Sequence, residues 1–238
     1  MDDRSRQYSH EGEDFFRMTN EEIIKAVKPQ TITDDNRVEA TIEAVRKVVR
    51  EEIQGDIIEC GVYKGGQVMA MLYALMDEKE LSRDVYLYDT FEGMPEPEEV
   101  EGQKTTNFYN NRESVSFCRK HLDEEGNWCK ASTNYVLDNV METGYPRERI
   151  HFVKGKVEDT LPENTHRKIS VLRLDTDWYV STKIELELLY PKLEVGGVLL
   201  IDDYDTWDGC RKAVNEYFSL KPVELKRSGR KGRIVTKE

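Results

Sequence analysis

Residues 55–66 read Gly-Asp-Ile-Ile-Glu-Cys-Gly-Val-Tyr-Lys-Gly-Gly. The apolar run Asp56–Cys60 predicts a buried strand, and the apolar periodicity of Gln67–Met76 predicts a helix soon after it. The glycines lie where the strand turns into the helix, so the backbone there can approach a ligand and offer it free N–H groups. Their spacing, G-x-x-x-G-G, differs from the G-x-G-x-x-G of dinucleotide-binding sheets. The stretch therefore indicates a candidate ligand loop, although glycines also occur in such turns for purely steric reasons.

The rest of the chain alternates short apolar runs with helical periodicity. Further strands are predicted at 84–88, 150–153, 169–174 and 198–201. Helices are predicted at 21–27 (ended by Pro29), 34–53 (with Thr33 as its N-cap), 181–189 and 209–218. Near the end of the chain, 222–226 and 233–236 are predicted to pair as an antiparallel hairpin. The predicted fold is therefore α/β, a doubly wound and mostly parallel sheet of seven strands with a C-terminal antiparallel hairpin.

The length of 238 residues suits one domain of this kind and is short for two. The first residues are polar and lack periodicity, and we interpret 1–30 as a mobile N-terminal arm or lid ahead of a single domain at 31–238. Residues 91–135 form a long connection that contains glycine, proline, acidic clusters and aromatic side chains. Long insertions near strand ends are often lids or binding loops, so a substrate lid is predicted there. The alternative is a surface elaboration without a function.

The composition restricts the partners and the compartment. A formal net charge of −12 argues against nucleic acid and anionic membranes as partners, because long-range repulsion opposes both encounters. The spacing of the four cysteines fits neither a zinc site nor a disulfide framework, which favours free thiols in a reducing cytosol. We see no apolar signal region at the start, and the longest apolar stretch, 196–201, is too short to span a bilayer. We expect a cytoplasmic protein, and the sequence leaves open whether it forms a homo-oligomer.

Acidic residues directly follow three of the predicted strands. Asp89 ends the second strand, where a carboxylate can accept both hydroxyls of a ribose, although it can equally be a turn residue. Two other strands run into Asp175-Thr-Asp177 and into Asp202-Asp203. If these strands are neighbours, their ends lie about 5 Å apart, so Asp175, Asp202 and Asp203 can converge on one point. Converging carboxylates repel one another unless a cation lies between them, and oxygen-only ligands favour a hard ion such as Mg²⁺.

Several of these stretches together carry a resemblance to a known family. They are 55–66, 88–95 (Tyr-Asp-Thr-Phe-Glu-Gly-Met-Pro), 174–182 (Leu-Asp-Thr-Asp-Trp-Tyr-Val-Ser-Thr) and 189–217, which contains Gly-Gly-Val-Leu-Leu-Ile-Asp-Asp-Tyr. Over roughly residues 30–220 their order and spacing resemble the macrocin O-methyltransferase family. The resemblance implies the class I fold of S-adenosylmethionine-dependent methyltransferases. It also implies methyl transfer to a small-molecule hydroxyl, namely a sugar hydroxyl of a natural product, with metal chemistry similar to that of catechol O-methyltransferase.

The resemblance further implies roles for individual residues. Around S-adenosylmethionine, it implies Glu59, Gly61 and Tyr63 in the cofactor loop, Asp89 at the ribose, Gly155 and Glu158 beside the adenine, and Thr31 and Arg37 at the methionine carboxylate. Around Mg²⁺ or another hard divalent cation, it implies Asp175, Asp202 and Asp203 as ligands. Asp175 is also the implied general base, which takes the proton of the acceptor hydroxyl.

Other functions fit parts of the same pattern. Asp175-Thr-Asp177 after an apolar strand also resembles haloacid-dehalogenase phosphatases, in which the first aspartate attacks phosphate, but this leaves the loop at 59–66 without a role. A nicotinamide dehydrogenase would need the other glycine spacing and an acid about 20 residues after the loop. A non-catalytic S-adenosylmethionine-binding module is compatible with the fold, yet it has no reason to keep the acids. The sequence therefore favours a Mg²⁺-dependent O-methyltransferase.

Overall fold

The computed structural model describes residues 17–95, 106–107, 112–113, 122, 124 and 127–238. Residues 1–16 of the predicted arm and most of 96–126 in the predicted lid lie outside this part of the chain. Within the described residues, Cys60, Cys129 and Cys210 form no disulfide bond, whereas Cys118 lies outside them. No described helix has the length and apolar character that crossing a membrane requires.

A single seven-stranded sheet forms the centre of the described chain. Its strands are β1 (Asp56–Cys60), β2 (Val85–Asp89), β3 (Ile150–Lys154), β4 (Ile169–Leu174), β5 (Leu193–Ile201), β6 (Lys226–Ser228) and β7 (Gly232–Thr236). Their order across the sheet is β3-β2-β1-β4-β5-β7-β6. Strands β1 to β5 pair in parallel, and β7 pairs antiparallel with both β5 and β6. The prediction of a mostly parallel sheet with a terminal antiparallel hairpin is confirmed.

Helices cover both faces of this sheet, because each face is apolar. They are α1 (Asn20–Val27), α2 (Asp35–Arg50), α3 (Gly66–Asp77), α4 (Thr133–Met141), α5 (Val157–Thr160), α6 (Tyr179–Leu188) and α7 (Asp208–Phe218). Buried residues of α1 to α4 share one apolar cluster with Ile57 and Val171. Buried residues of α5 to α7 share a second cluster with Ile58 and Leu172. Neighbouring residues of β1 and β4 therefore point into opposite cores, as alternation along a strand requires.

The start of α2 differs from the prediction by one residue. Asp34 is the N-cap, and its carboxylate accepts a hydrogen bond from the Arg37 N–H at 3.2 Å. Thr33 lies one position earlier, and its own N–H donates to the Thr31 hydroxyl at 3.1 Å. Both residue types cap helices well, so composition alone does not decide between adjacent candidates. As the N-cap, Asp34 also forms an ion pair with Arg37, which lines the cavity described below.

Two helices lie in segments that the sequence analysis interpreted as a mobile arm and a lid. Helix α4, capped by Ser132, begins inside the predicted insertion and packs Val136 and Val140 into the core close to Gly65. Helix α1 lies within the predicted arm, and its Ile23 and Val27 side chains are fully buried. The second half of the arm is therefore part of the packed domain. Within the insertion, Thr106–Asn107 pairs antiparallel with Arg112–Glu113, and the proposed lid function of 91–135 stays a prediction.

The packing of α1 can be tested by truncating its buried side chain. Ile23→Ala is expected to lower the free energy of unfolding by about 2–5 kcal/mol, because it leaves a cavity in the core. The exposed Lys25 of the same helix provides the control, and Lys25→Ala should change stability by about 0.5 kcal/mol or less. Denaturant unfolding measures both values. Equal, small effects of the two substitutions would show that α1 does not contribute to the fold.

Candidate active site

A cavity of about 330 Å³ opens at the carboxyl ends of the parallel strands. Every one of the loops that follow β1 to β5 contributes to its wall, through Gly61, Asp89, Gly155, Asp175 and Asp203 among others. In open parallel α/β sheets, ligands bind outside the carboxyl ends of the strands. The cavity is therefore where the fold itself predicts a binding site.

Gly61 allows the loop after β1 to lie against the end of β4. Its φ is 83°, and a Cβ atom there would lie only 2.1 Å from the carbonyl oxygen of Asp175. The Asp175 N–H in turn donates to the Cys60 carbonyl at 2.8 Å. No side chain larger than hydrogen fits this approach without a shift of the backbone. The glycine loop that marks the fold in the sequence therefore also brings Asp175 beside the cavity.

Asp89 organises the same loop from the end of β2. Its Oδ2 accepts hydrogen bonds from the backbone N–H groups of Val62 and Tyr63, at 2.6 and 3.2 Å, and its Oδ1 accepts one from Phe91 at 2.7 Å. Tyr63 has a φ of 50°, an uncommon value for a non-glycine residue. The carboxylate thus holds the loop in shape and also lines the cavity. Its predicted contact with a ribose stays a prediction.

The other residues predicted to bind the cofactor fall into two groups. Gly155 and Glu158 line the cavity beside Asp89, and the Gly155 N–H donates to the Asp89 carbonyl at 3.0 Å. Gly61, Tyr63 and Arg37 also line it. Thr31 and Glu59 do not belong to the described residues that line the cavity. Glu59 is instead buried, with only 1% of it exposed.

Arg173 is a site residue that the sequence analysis missed. It is the penultimate residue of β4 and lies directly opposite Glu59 of β1, and only 1% of it is exposed. Its Nη1 donates to Glu59 Oε1 at 2.6 Å and to Asp175 Oδ2 at 2.8 Å, and its Nη2 donates to Asp202 Oδ1. Burial raises the pKa of Glu59 to about 8, and the facing guanidinium of Arg173 opposes that shift. The signal that could have identified Arg173 was a charged residue within a mainly apolar predicted strand.

A second arginine engages Asp202 from the other side. Arg37 Nη1 donates to Asp202 Oδ2, while Arg37 Nε donates to Asp34 at 2.8 Å. Burial raises the pKa of Asp202 to about 6; Asp175 reinforces this shift, whereas Arg173 and Arg37 oppose it. Asp202 is therefore held between two guanidinium groups, and Arg37 is held in turn by two carboxylates.

Three carboxylates of the described residues form a compact group: Asp175, Asp177 and Asp203 each offer one oxygen atom, and these atoms lie within 4.8 Å of one another. Asp177 reaches this position because its backbone adopts a φ of 68° in the turn after β4. Burial and the nearby carboxylate of Asp203 raise the pKa of Asp177 well above its usual value. Burial also raises the pKa of Asp175, although Arg173 opposes this shift. This group contains Asp177 in the place of the predicted Asp202, because Asp202 is engaged by two arginines.

The chain's three tryptophans meet beside these acids. Trp178 and Trp207 have ring centroids 5.1 Å apart, and Trp128 lies 6.2 Å from each of them. All three line the cavity. The cavity therefore joins an acidic floor to an aromatic wall, against which the apolar face of a ring can pack.

The fold and the site together define a class I methyltransferase, the fold shared with the solved O-methyltransferase NovP. That structure has 30% sequence identity and a TM-score of 0.75, and the similarity covers 87% of this chain and 82% of that one. Residues 24–226 match the family described as macrocin O-methyltransferase (TylF). The chain belongs to this family, as its motifs predicted, and the haloacid-dehalogenase and dehydrogenase alternatives are thereby set aside.

Two relatives with named activities support the same family. A tetracenomycin 4'-O-methyltransferase of Streptomyces olivaceus, named for a rhamnosyl-bearing substrate, is 33% identical over 73% of this chain and 61% of its own length. Demethyldecarbamoylnovobiocin O-methyltransferase of Streptomyces niveus is 30% identical over 79% of this chain and 67% of its own length. The chain therefore spans about two thirds of the length of these relatives. At the level of the family, the predicted class of enzyme, an O-methyltransferase, is confirmed.

The structural role of Arg173 predicts a large loss of stability on its removal. Arg173→Leu should lower the free energy of unfolding by about 3–5 kcal/mol, because it leaves buried carboxylates without their partner. The exposed pair of Arg50 with Glu78 is the control, and Arg50→Leu should cost about 1 kcal/mol or less. Denaturant unfolding compares the two. The assignment is wrong if both arginines prove equally dispensable.

Proposed function

We propose that this chain transfers the methyl group of S-adenosylmethionine to a sugar hydroxyl of a small natural product, with the help of a divalent cation. The observation that carries the proposal is the group of Asp175, Asp177 and Asp203 on the floor of the cavity. The glycine loop and these acids line the same cavity, so a cofactor that binds to the loop would lie next to the acids. A donor and an acceptor can therefore meet there.

The acids fit a hard divalent cation such as Mg²⁺. They supply only oxygen ligands, which Mg²⁺ prefers, and their separation of at most 4.8 Å suits a shared ion. The raised pKa values of Asp175 and Asp177 reflect burial among like charges, an arrangement that a cation would relieve. Asp175 and Asp203 are ligands in both the sequence prediction and this arrangement. We propose Asp177 as the third ligand, because the two arginines already neutralise Asp202.

The cofactor is proposed to lie across the ends of β1, β2 and β3. Gly61 and Tyr63 would border its methionine part, Asp89 its ribose, and Gly155 and Glu158 its adenine, since all five line one continuous cavity. Thr31 and Glu59 would act from behind this surface, whereas Arg37 would border it. Glu59 forms an ion pair with Arg173, and Arg37 forms an ion pair with Asp34 at the start of α2. In this proposal the transferable methyl group lies near Asp175.

The chemistry requires the acceptor oxygen to become a better nucleophile. The sulfonium of the donor is already a good leaving group, so the chain's task is to align the two reactants and remove one proton. When bound, a divalent cation would lower the pKa of the acceptor hydroxyl and orient it. Asp175 is proposed to take the proton, because its carboxylate borders the cavity at the end of β4. The tryptophans would hold the sugar ring against the acids.

The relatives' named activities support a proposal for the acceptor. One relative is named for the 4' position of a rhamnosyl-bearing tetracenomycin, and another, a mycinamicin III 3''-O-methyltransferase of Micromonospora griseorubida, is 29% identical. A sugar also offers neighbouring hydroxyls that can bind one cation together. We therefore propose a deoxysugar with a vicinal diol as the methylated group.

Removing the cation tests the proposal. EDTA should abolish methyl transfer and leave the dissociation constant for S-adenosylmethionine within about threefold, because the cofactor is held by other residues. Activity is measured by mass shift on a panel of sugars and phenols, and cofactor binding by calorimetry. Adding Mg²⁺ back should restore the activity. Full activity in chelator would contradict the role given to the acids.

A matched pair of substitutions identifies the third ligand. Asp177→Asn and Asp202→Asn both remove one charge at nearly constant volume. If Asp177 is the ligand, Asp177→Asn should raise the Mg²⁺ concentration for half-maximal activity by about tenfold or more, and excess Mg²⁺ should partly rescue it. Asp202→Asn should instead lower stability, because it leaves Arg37 and Arg173 without a shared carboxylate. The reverse pattern would make Asp202 the ligand.

A further inference from the structure

One buried carboxyl group close to the cavity has no role in the proposed function so far. Glu185 lies in α6 and is fully buried. Its Oε1 accepts a hydrogen bond from the Thr176 hydroxyl at 2.9 Å. Thr176 lines the cavity and separates Asp175 from Asp177, two of the three proposed cation ligands. Glu185 therefore contacts, from the core, the turn that carries these ligands.

The burial of Glu185 is by itself unfavourable for the fold. Its charged neighbours include the carboxylates of Glu158 and Asp175. Burial, and to a lesser degree these like charges, raise the pKa of Glu185 well above its usual value, although the hydrogen bond from Thr176 opposes the shift. A leucine at this position would avoid the cost of burying a polar group. Groups that are buried at such a cost often belong to a functional site.

Ser181 lies one helical turn before Glu185, on the same face of α6. The Ser181 hydroxyl donates a hydrogen bond to the Thr176 carbonyl at 3.3 Å, and the Trp178 N–H donates to the same carbonyl at 2.8 Å. Thr176 is therefore bound through its main chain and, by Glu185, also through its side chain. We call Ser181 and Glu185 the Thr176 clamp.

The Thr176 clamp bears on the arrangement of the two acids on either side of Thr176. The main chain of Asp175 is bound to the end of β1, because its N–H donates to the Cys60 carbonyl at 2.8 Å. Asp177 has a φ of 68°, a value that a non-glycine residue keeps where the surrounding structure requires it. Because Thr176 joins these two residues, a shift of Thr176 would change the separation of their carboxylates. Mg²⁺ needs near-ideal octahedral geometry and tolerates little change of this kind.

We propose that Glu185 is a positioning residue, which acts through Thr176 and keeps Asp175 and Asp177 at the separation that one divalent cation requires. The inference rests on the proposed function and adds to it a residue that touches neither the cation nor the acceptor. A glutamate suits this position because its carboxyl oxygen accepts the hydrogen bond of the Thr176 hydroxyl. An apolar side chain would leave that hydroxyl without this partner. The unfavourable burial of Glu185 is thereby linked to the geometry of the site.

The test measures Mn²⁺ binding to the full chain by electron paramagnetic resonance, which does not depend on methyl transfer. Thr176→Val removes the hydroxyl, and Glu185→Leu removes its acceptor. Each should raise the Kd of Mn²⁺ by about tenfold, as is typical when a group that orients metal ligands is removed. The double variant should also bind about tenfold more weakly, because both substitutions break one hydrogen bond, and a loss of about 100-fold would contradict action through Thr176. Glu185→Gln retains an acceptor oxygen and should stay within about threefold of the wild type.

Glu187→Leu is the matched control, because Glu187 lies on the exposed side of the same helix. It should leave the Kd of Mn²⁺ unchanged. All variants should bind S-adenosylhomocysteine within about threefold of the wild type, since other residues hold the cofactor. Unchanged Mn²⁺ binding in both Thr176→Val and Glu185→Leu would overturn the inference and leave the proposed methyl transfer intact. An equal loss of cofactor binding and Mn²⁺ binding would also refute it, by showing a general loss of structure.

A second measurement needs no cation. In crystal structures of the metal-free protein, Glu185→Leu should move Asp177 away from its φ of 68° and separate the oxygen atoms of the three acids beyond 4.8 Å. Glu187→Leu should change neither. If the wild type binds no Mn²⁺ but the turn at 175–177 changes in this way, the cation of the proposed function is wrong and the positioning role of Glu185 stands. An unchanged turn in Glu185→Leu would show that Glu185 does not position these acids.

Discussion

The guanidinium of Arg173 is buried in the centre of the sheet, bound to carboxylates that come from the ends of three neighbouring strands. A buried charge without a partner is costly, so Glu59, Asp175 and Asp202 must stay within its reach in the folded chain. This requirement fixes the positions of β1, β4 and β5 relative to one another at their carboxyl ends, where the cavity opens. The geometry of the floor of the cavity therefore depends on one arginine that itself faces away from solvent.

The same arginine divides the acids of the site into two kinds. Glu59 and Asp202 are neutralised from within the protein, by Arg173 and, for Asp202, also by Arg37. Asp177 and Asp203 lie together with Asp175 at the end of β4 and β5, where a cation would balance them. Asp175 belongs to both groups, because Arg173 contacts one of its oxygens. Asp175 therefore takes part both in the buried ion pairs of Arg173 and in the proposed cation binding and proton transfer.

The sequence predicted the fold well and the site only in part. Strands β1 and β4 have the predicted bounds, because their mainly apolar segments are followed directly by glycine or aspartate. Helix α4 was missed, since its nine residues are mixed in polarity and begin within a long polar segment. The acids were found at the strand ends, but their grouping was not, because it depends on the φ of Asp177 and on the facing of Glu59 and Arg173 across two strands. Neither is visible in a single sequence.

The central claim is that one set of acids binds the cation and another set binds arginines. It is tested most directly by a crystal structure of the protein with Mn²⁺ and S-adenosylhomocysteine, in which the ion is located by its anomalous scattering. We predict one strong peak bound by oxygens of Asp175, Asp177 and Asp203 at about 2.1 Å, with Asp202 still held by Arg37 and Arg173. A peak bound by Asp202, with its arginines displaced, would contradict the account. The absence of any peak among these acids at saturating Mn²⁺ would contradict it as well.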